Sequence, residues 1–221
     1  MTQPLRTLDL RGDPDRDLGP VVDHLRNDGV VGYPTETVYG LGSACTEVGM
    51  RALQMVKGRS EEKSFIALVA SRESIAGLAW TEEASELADI FWPGSVTLVL
   101  GDPDGTFPPG VRDPASGGVA VRVSPHPVVQ RLLSAFGGAI TSTSLNISGS
   151  LPAASGAEAR EVLETIGADD VWLLDVGTLP ESGPSTVIDF MGPVPIVLRE
   201  GTVPIERIRC AIPEIYGQSS N

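Results

Sequence analysis

The chain has 221 residues, 41% of them hydrophobic and 20% charged, which suits one well-cored globular domain. A formal net charge of −13 repels nucleic-acid phosphates over most of the surface, so any anion site must be local. No apolar run approaches a membrane span, no signal peptide is legible at the N-terminus, and two cysteines, Cys45 and Cys210, give neither a metal spacing nor a disulfide framework. Both cysteines read as small buried or incidental residues in a reducing cytoplasm.

Taken in order, Leu18, Val21, Val22 and Leu25 recur at helical spacing, and Asn27 to Gly29 end that helix. A short buried strand follows at Val30–Tyr33. Residues 47–57 predict a helix with Thr46 as N-cap and Gly58 just past its end. Phe65–Ala70 predicts a strand. Thr81 caps a helix with Glu82 and Glu83 in its first turn, and Trp92-Pro93-Gly94 stops it. Ser95–Leu100 predicts a strand. Residues 101–118 form a Pro/Gly-rich loop too long for a simple connector, hence functional or mobile. Val119, Val121 and Val123 alternate with Ala120 and Arg122, so Arg122 points away from the core, and as a structural residue it would be an exposed strand charge. A helix over Pro127–Phe136, a strand over Ala139–Thr143 and a capping box at Ser155 to Glu158 opening a helix to Ile166 come next. Strands are predicted near 171–176, 185–190 and 194–199, with a last helix over Pro204–Ile212. Helices and strands alternate throughout, which defines an α/β domain with a mixed sheet.

Several familiar chemistries are missing from this pattern. There is no P-loop, no G-x-G-x-x-G after a strand, no G-x-S-x-G elbow and no H-E-x-x-H. His24 and His126 are the only histidines; His24 reads as structural or exposed, and His126 as turn packing. What remains is a set of segments at strand ends, rich in hydroxyls, amides and arginine: 34–37, 141–149, 183–187 and 199–201. Ser, Thr, Asn and Gly form turns anyway, so each stretch alone reads as a turn. Four of them at strand ends point to a polar ligand site. The two lysines, Lys57 and Lys63, flank Arg59 in one short segment of a chain that otherwise uses arginine.

The stretches "PTETVYGLG" (34–42), "KGR" (57–59), "WPGSVTLVL" (92–100), "VAVRVSPHP" (119–127), "TSTSLNISG" (141–149), "STVID" (185–189) and "LREG" (198–201) occur in that order. Together they resemble the motifs of YrdC-like threonylcarbamoyl-adenylate synthases, from about residue 18 to residue 210. The resemblance implies an α/β fold, a twisted mixed sheet flanked by helices around an open concave cleft. It implies one YrdC-like domain over 1–221 with a polar C-terminal tail, without the extra C-terminal domain of longer members. It also implies a cytoplasmic nucleotidyltransferase that uses L-threonine, bicarbonate or CO2, and ATP as substrates, with Mg²⁺ carried on the phosphates. The product, threonylcarbamoyl-AMP, feeds N6-threonylcarbamoyladenosine synthesis in tRNA through a downstream threonylcarbamoyl-transferase complex. Direct tRNA contact stays open, and no membrane or dedicated metal cage is implied.

By the same resemblance, Lys57 and Arg59 act on the phosphates with Lys63 as helper. Thr143, Ser144 and Asn146 contact the nucleotide, and Arg199 grips its phosphate or ribose side. Thr35 and Ser185 hold threonine, and Arg122 pairs its carboxylate. Glu36 fits loop ordering through backbone N–H groups as well as ligand contact. Tyr39 and Leu41 read as packing under the following helix or loop. Ser60, Ser64-Phe65, Ser95 and Leu145 depart from the residues usual in the family. Two other readings stay open: a non-catalytic RNA-binding module of the same fold, and a carbamoyl-adenylate-forming paralogue.

Overall fold

The computed structural model describes residues 5–58 and 64–217. The chain opens with β1 (Arg6–Asp9), α1 (Gly19–Arg26), β2 (Val30–Pro34), β3 (Tyr39–Gly42), α2 (Glu47–Lys57) and β4 (Ile66–Leu68). A 3₁₀ turn at Arg72–Ile75 leads to α3 (Glu82–Phe91), β5 (Val96–Gly101), β6 (Gly118–Arg122), α4 (Pro127–Phe136) and β7 (Ile140–Ser144). Then come α5 (Gly156–Thr165), β8 (Val171–Asp175), β9 (Thr186–Asp189), β10 (Ile196–Arg199), α6 (Ile205–Ala211) and β11 (Tyr216–Gly217).

The strands form one mixed sheet in the order β1-β8-β2-β3-β7-β4-β6-β5-β9-β10-β11. Consecutive strand residues feed opposite faces. Val30, Ala67 and Leu173 enter one core with α2, α3, α5 and α6. Their neighbours Val31, Leu68 and Leu174 enter a second core with α1 and α4. This explains why β2 reads as a continuous apolar run: all five of its residues are buried, because both faces are covered.

Helix boundaries follow local capping chemistry. Thr46 and Thr81 accept hydrogen bonds from Gly49 N and Ala84 N. Gly58 ends α2 in the left-handed region at φ 59°, where a side chain is disfavoured. Ser155 accepts from Glu158 N, and the Glu158 carboxylate reaches back to Ala154 N, one residue before the expected partner.

Three strands were not foreseen: β1, β3 and the two-residue β11. β1 is four residues long with only Leu8 buried, too short for a periodic signal. β3 carries Tyr39 and Leu41, which pack as expected in one core with Met50 and Leu53 of the following helix α2, but do so as buried strand residues. Gly40 and Gly42 disguise it, since glycine weakens strand propensity. They are required by close approach. A Cβ on Gly40 would meet the Tyr33 ring at 2.9 Å, and one on Gly42 would lie 1.8 Å from Thr141 O.

The 101–118 segment is pinned by its own bonds. The buried Asp102 carboxylate accepts from Thr106 N and Phe107 N, Phe107 and Val111 enter the core, and Gly110 O accepts from Phe65 N. Of the two readings offered for it, a mobile loop has no support in these contacts.

Gly42→Ala is expected to destabilise the chain by about 1–3 kcal/mol, because the new methyl group must displace the β7 backbone. The check is a lowered urea midpoint at unchanged m-value.

Candidate functional site

The first polar cluster joins the end of α2 to the exit of β7. The Lys57 ammonium donates to Ser144 O at 2.8 Å, to Asn146 O at 2.7 Å and to Asn146 Oδ1 at 2.7 Å. Ser144 Oγ donates to the same Oδ1 at 2.7 Å. The Asn146 amide nitrogen in turn donates to Ile147 O and Ser150 O. The loop after β7 is therefore folded around the Asn146 side chain. Thr143 lies opposite Leu41 in the β3–β7 ladder. Three of the residues expected to serve a nucleotide, Lys57, Ser144 and Asn146, are thus in direct contact. Arg59 and Lys63 lie outside the described residues.

The second cluster is built on Glu36. Its Oε1 accepts from Ser95 Oγ and Arg122 Nη1, each at 3.1 Å, and its Oε2 accepts from Ser124 Oγ at 2.6 Å. Arg122 is no exposed strand charge. Its side chain is 6% exposed and that of Glu36 17%, so the pair is largely desolvated. The sequence showed that Arg122 points away from Val121 but not that a carboxylate meets it there. Glu36 orders its surroundings through side-chain donors rather than through backbone N–H groups.

Arg199 belongs to the same neighbourhood. Its Nε and Nη2 donate to Ser185 O, and Nη2 lies 3.2 Å from Ser185 Oγ. Ser185 Oγ shares a hydrogen bond with Thr97 Oγ1 at 2.9 Å. Partial burial, and secondarily the positive charge of Arg122, hold the Arg199 guanidinium below its usual value. Ser95 O accepts from Thr186 N, which links Ser185 and Arg199 back to Glu36.

Thr35 departs from expectation. It is buried, its hydroxyl donates to Val38 O, and it accepts from Thr37 N and Val38 N. Thr37 Oγ1 lies 2.9 Å away as well. The hydroxyl closes the 35–38 turn. This turn lies between the two clusters: Pro34 pairs with Tyr39, whose carbonyl accepts from Leu145 N, while Glu36 reaches Arg122.

The remaining singular residues are structural. His24 bonds Arg6 Nη2 and Val30 O, and burial lowers its pKa. Burial pushes the Cys45 thiol up to about 12, which leaves it unreactive at neutral pH. His126 caps α4, its Nδ1 accepting from Val128 N. Two cavities of about 570 and 580 Å³ lie near Trp80, with Pro93 and Val123 in its lining, and near Cys45.

The architecture defines a class: an α/β protein whose cationic and hydroxyl groups converge from loops and strand ends. The profile of the Sua5/YciO/YrdC family, which carries the description "Telomere recombination", matches residues 23–201. The chain belongs to this family. It is 36% identical over 204 residues to the threonylcarbamoyl-AMP synthase of Pyrococcus abyssi, covering 88% of this chain and 58% of that protein. It is 37% identical over 177 residues to the threonylcarbamoyl-AMP synthase of Vibrio cholerae, covering 78% of this chain and 92% of that protein. Among solved structures it resembles P. abyssi Sua5 complexed with L-threonine, with a TM-score of 0.83 and 31% identity, over 97% of this chain and 62% of that one. The chain thus spans less than two thirds of the Pyrococcus protein and nearly all of the Vibrio one.

Burial lowers the pKa of His126, so folding favours its neutral form. The unfolded chain then binds more protons below about pH 6.5, and stability falls as pH drops through that value. His126→Asn keeps an N-cap acceptor but removes the titration. Denaturation between pH 7 and 5 should show a shallower loss of stability in this variant than in the parent.

Proposed function

We propose that the chain condenses L-threonine, CO2 or bicarbonate, and ATP to threonylcarbamoyl-AMP and pyrophosphate. The observation that carries this reading is the Lys57–Ser144–Asn146 cluster beside the Glu36–Arg122–Ser185–Arg199 network, in a chain of this family. The names of the two relatives and the threonine complex support the choice of substrates.

The chemistry needs these groups. The threonine amine adds to CO2 and loses a proton, giving a carbamate. A carbamate oxygen then attacks the α-phosphorus of ATP, the bond to the β-phosphate oxygen breaks, and pyrophosphate leaves. Nucleophile and electrophile are both anionic. Positioned cations screen their repulsion, and no covalent enzyme intermediate is required. Lys57, with Arg59 and Lys63, serves the phosphates of the Mg²⁺-bound nucleotide; Thr143, Ser144 and Asn146 shape its pocket.

Arg122 and Ser185 hold the amino acid, Arg122 through its carboxylate. Arg199 is assigned the phosphate or ribose side. Thr35 contributes by closing the turn beside them. Arg122, Arg199 and Glu36 together carry one net positive charge, and Arg122 Nε has no hydrogen-bond partner among the described residues. That combination suits an incoming carboxylate.

On this reading the chain is one YrdC-like domain of a cytoplasmic enzyme that supplies tRNA threonylcarbamoylation. A net charge of −13 disfavours the RNA-binding alternative.

The test is pyrophosphate release from Mg²⁺-ATP. It should require both bicarbonate and L-threonine, and fall about 100-fold or more in Lys57→Ala and Arg59→Ala. No release with any amino acid, together with ATP-independent tRNA binding, would sink the enzyme reading in favour of the RNA-binding one.

A further inference from the structure

We infer that Glu36 is the positioning residue of the amino-acid site: it sets the Arg122 guanidinium without itself touching the substrate. The inference rests on the proposed function, in which Arg122 meets the substrate carboxylate. Both Glu36 oxygens are already committed, Oε1 to Ser95 and Arg122 and Oε2 to Ser124. A carboxylate held by three donors is poorly placed to receive a fourth from a ligand and well placed to fix the donors that surround it.

Its partners belong to different segments. Ser95 precedes β5, Arg122 ends β6, and Ser124 lies just beyond, while Glu36 itself belongs to the turn after β2. Only Nη1 of Arg122 is tied to Glu36, which leaves the Nε and Nη2 edge of the guanidinium facing away from the carboxylate. Through Ser95, whose carbonyl accepts from Thr186 N, the same carboxylate is connected to Ser185. One side chain therefore couples Arg122, Ser185 and the Thr35 turn.

Ser95, one of the departures from the residues usual in the family, replaces a frequent proline, which has no hydroxyl to donate. Here the hydroxyl binds the oxygen that Arg122 uses, so Glu36 gains an added constraint on the side where it matters.

Charge and geometry predict opposite effects on removal of Glu36, which makes the proposal testable. Neutralising the carboxylate raises the local positive charge, and by Coulomb attraction alone would tighten carboxylate binding. Loss of positioning weakens it. The experiment measures KM for L-threonine and for ATP by pyrophosphate release in the parent, Glu36→Gln, Arg122→Ala and the double variant, with thermal denaturation of each.

Positioning predicts that Glu36→Gln raises the threonine KM about fivefold or more and leaves the ATP KM within about twofold. In the Arg122→Ala background it should add nothing further, because its effect runs through Arg122. Should Glu36→Gln instead lower the threonine KM, leave it unchanged, or shift both KM values together with the melting temperature, the inference is overturned. An unchanged threonine KM in Arg122→Ala would overturn the Arg122 assignment and the inference with it. Parent protein without threonine-dependent release would overturn the proposed function itself. A raised KM in Arg122→Ala with a normal one in Glu36→Gln would overturn the Glu36 inference alone.

Discussion

The buried ion pair between Glu36 and Arg122 is the constraint on which the second polar cluster depends. Bringing two charges out of water is costly, and their mutual attraction offsets that cost only when the remaining valences are also satisfied. The Ser95 and Ser124 hydroxyls supply those contacts to the carboxylate. Their presence ties a turn in the β2–β3 part of the sheet to strands β5 and β6, which lie on the far side of β7. Within the one continuous sheet, the carboxylate adds a direct link between these segments. Arg199 then extends the network by gripping Ser185 O next to the Ser95–Thr186 bond.

The charge distribution follows the same logic. A chain carrying −13 has no general affinity for anions, so any anion site rests on a few cations held in place. Lys57 illustrates how. Its ammonium is directed by two carbonyls and an amide oxygen of the loop after β7. Arg122 is paired with the Glu36 carboxylate, and Arg199 lies nearby as a second cation. An oriented ammonium therefore stands on one side of the 35–38 turn and two arginines on the other.

How much of this was legible in the sequence depended on the range of the interaction. Helix ends at Thr46, Gly58, Thr81 and Ser155 were readable because capping acts within a few residues. Strand β3 was not, because its glycines answer to Tyr33 and Thr141 across the sheet rather than to their own neighbours. The motif order pointed to Lys57, Ser144 and Asn146 as one group, although Lys57 and Asn146 stand 89 positions apart. Residue type alone did not reveal that Arg122 is buried, since its partner lies 86 positions away. Thr35 shows the opposite case: its hydroxyl bonds to the nearest backbone groups, Val38 O, Thr37 N and Val38 N, a local turn role that the resemblance did not bring out.

The departures from the family pattern now separate into two kinds. Leu145 and Phe65 are core residues, and the structure makes room for them: Leu145 Cδ1 lies 3.1 Å from where a Gly32 Cβ would be, a volume that any other residue at Gly32 would occupy. Such changes alter packing and leave the polar groups of the site as they were. Ser95 is different, because its side chain joins the carboxylate that binds Arg122. An added hydroxyl in a desolvated charge network acts on orientation more strongly than an added methylene acts on a core, since each buried acceptor is worth satisfying. Of the described departures, Ser95 is therefore the one that touches the Glu36–Arg122 network.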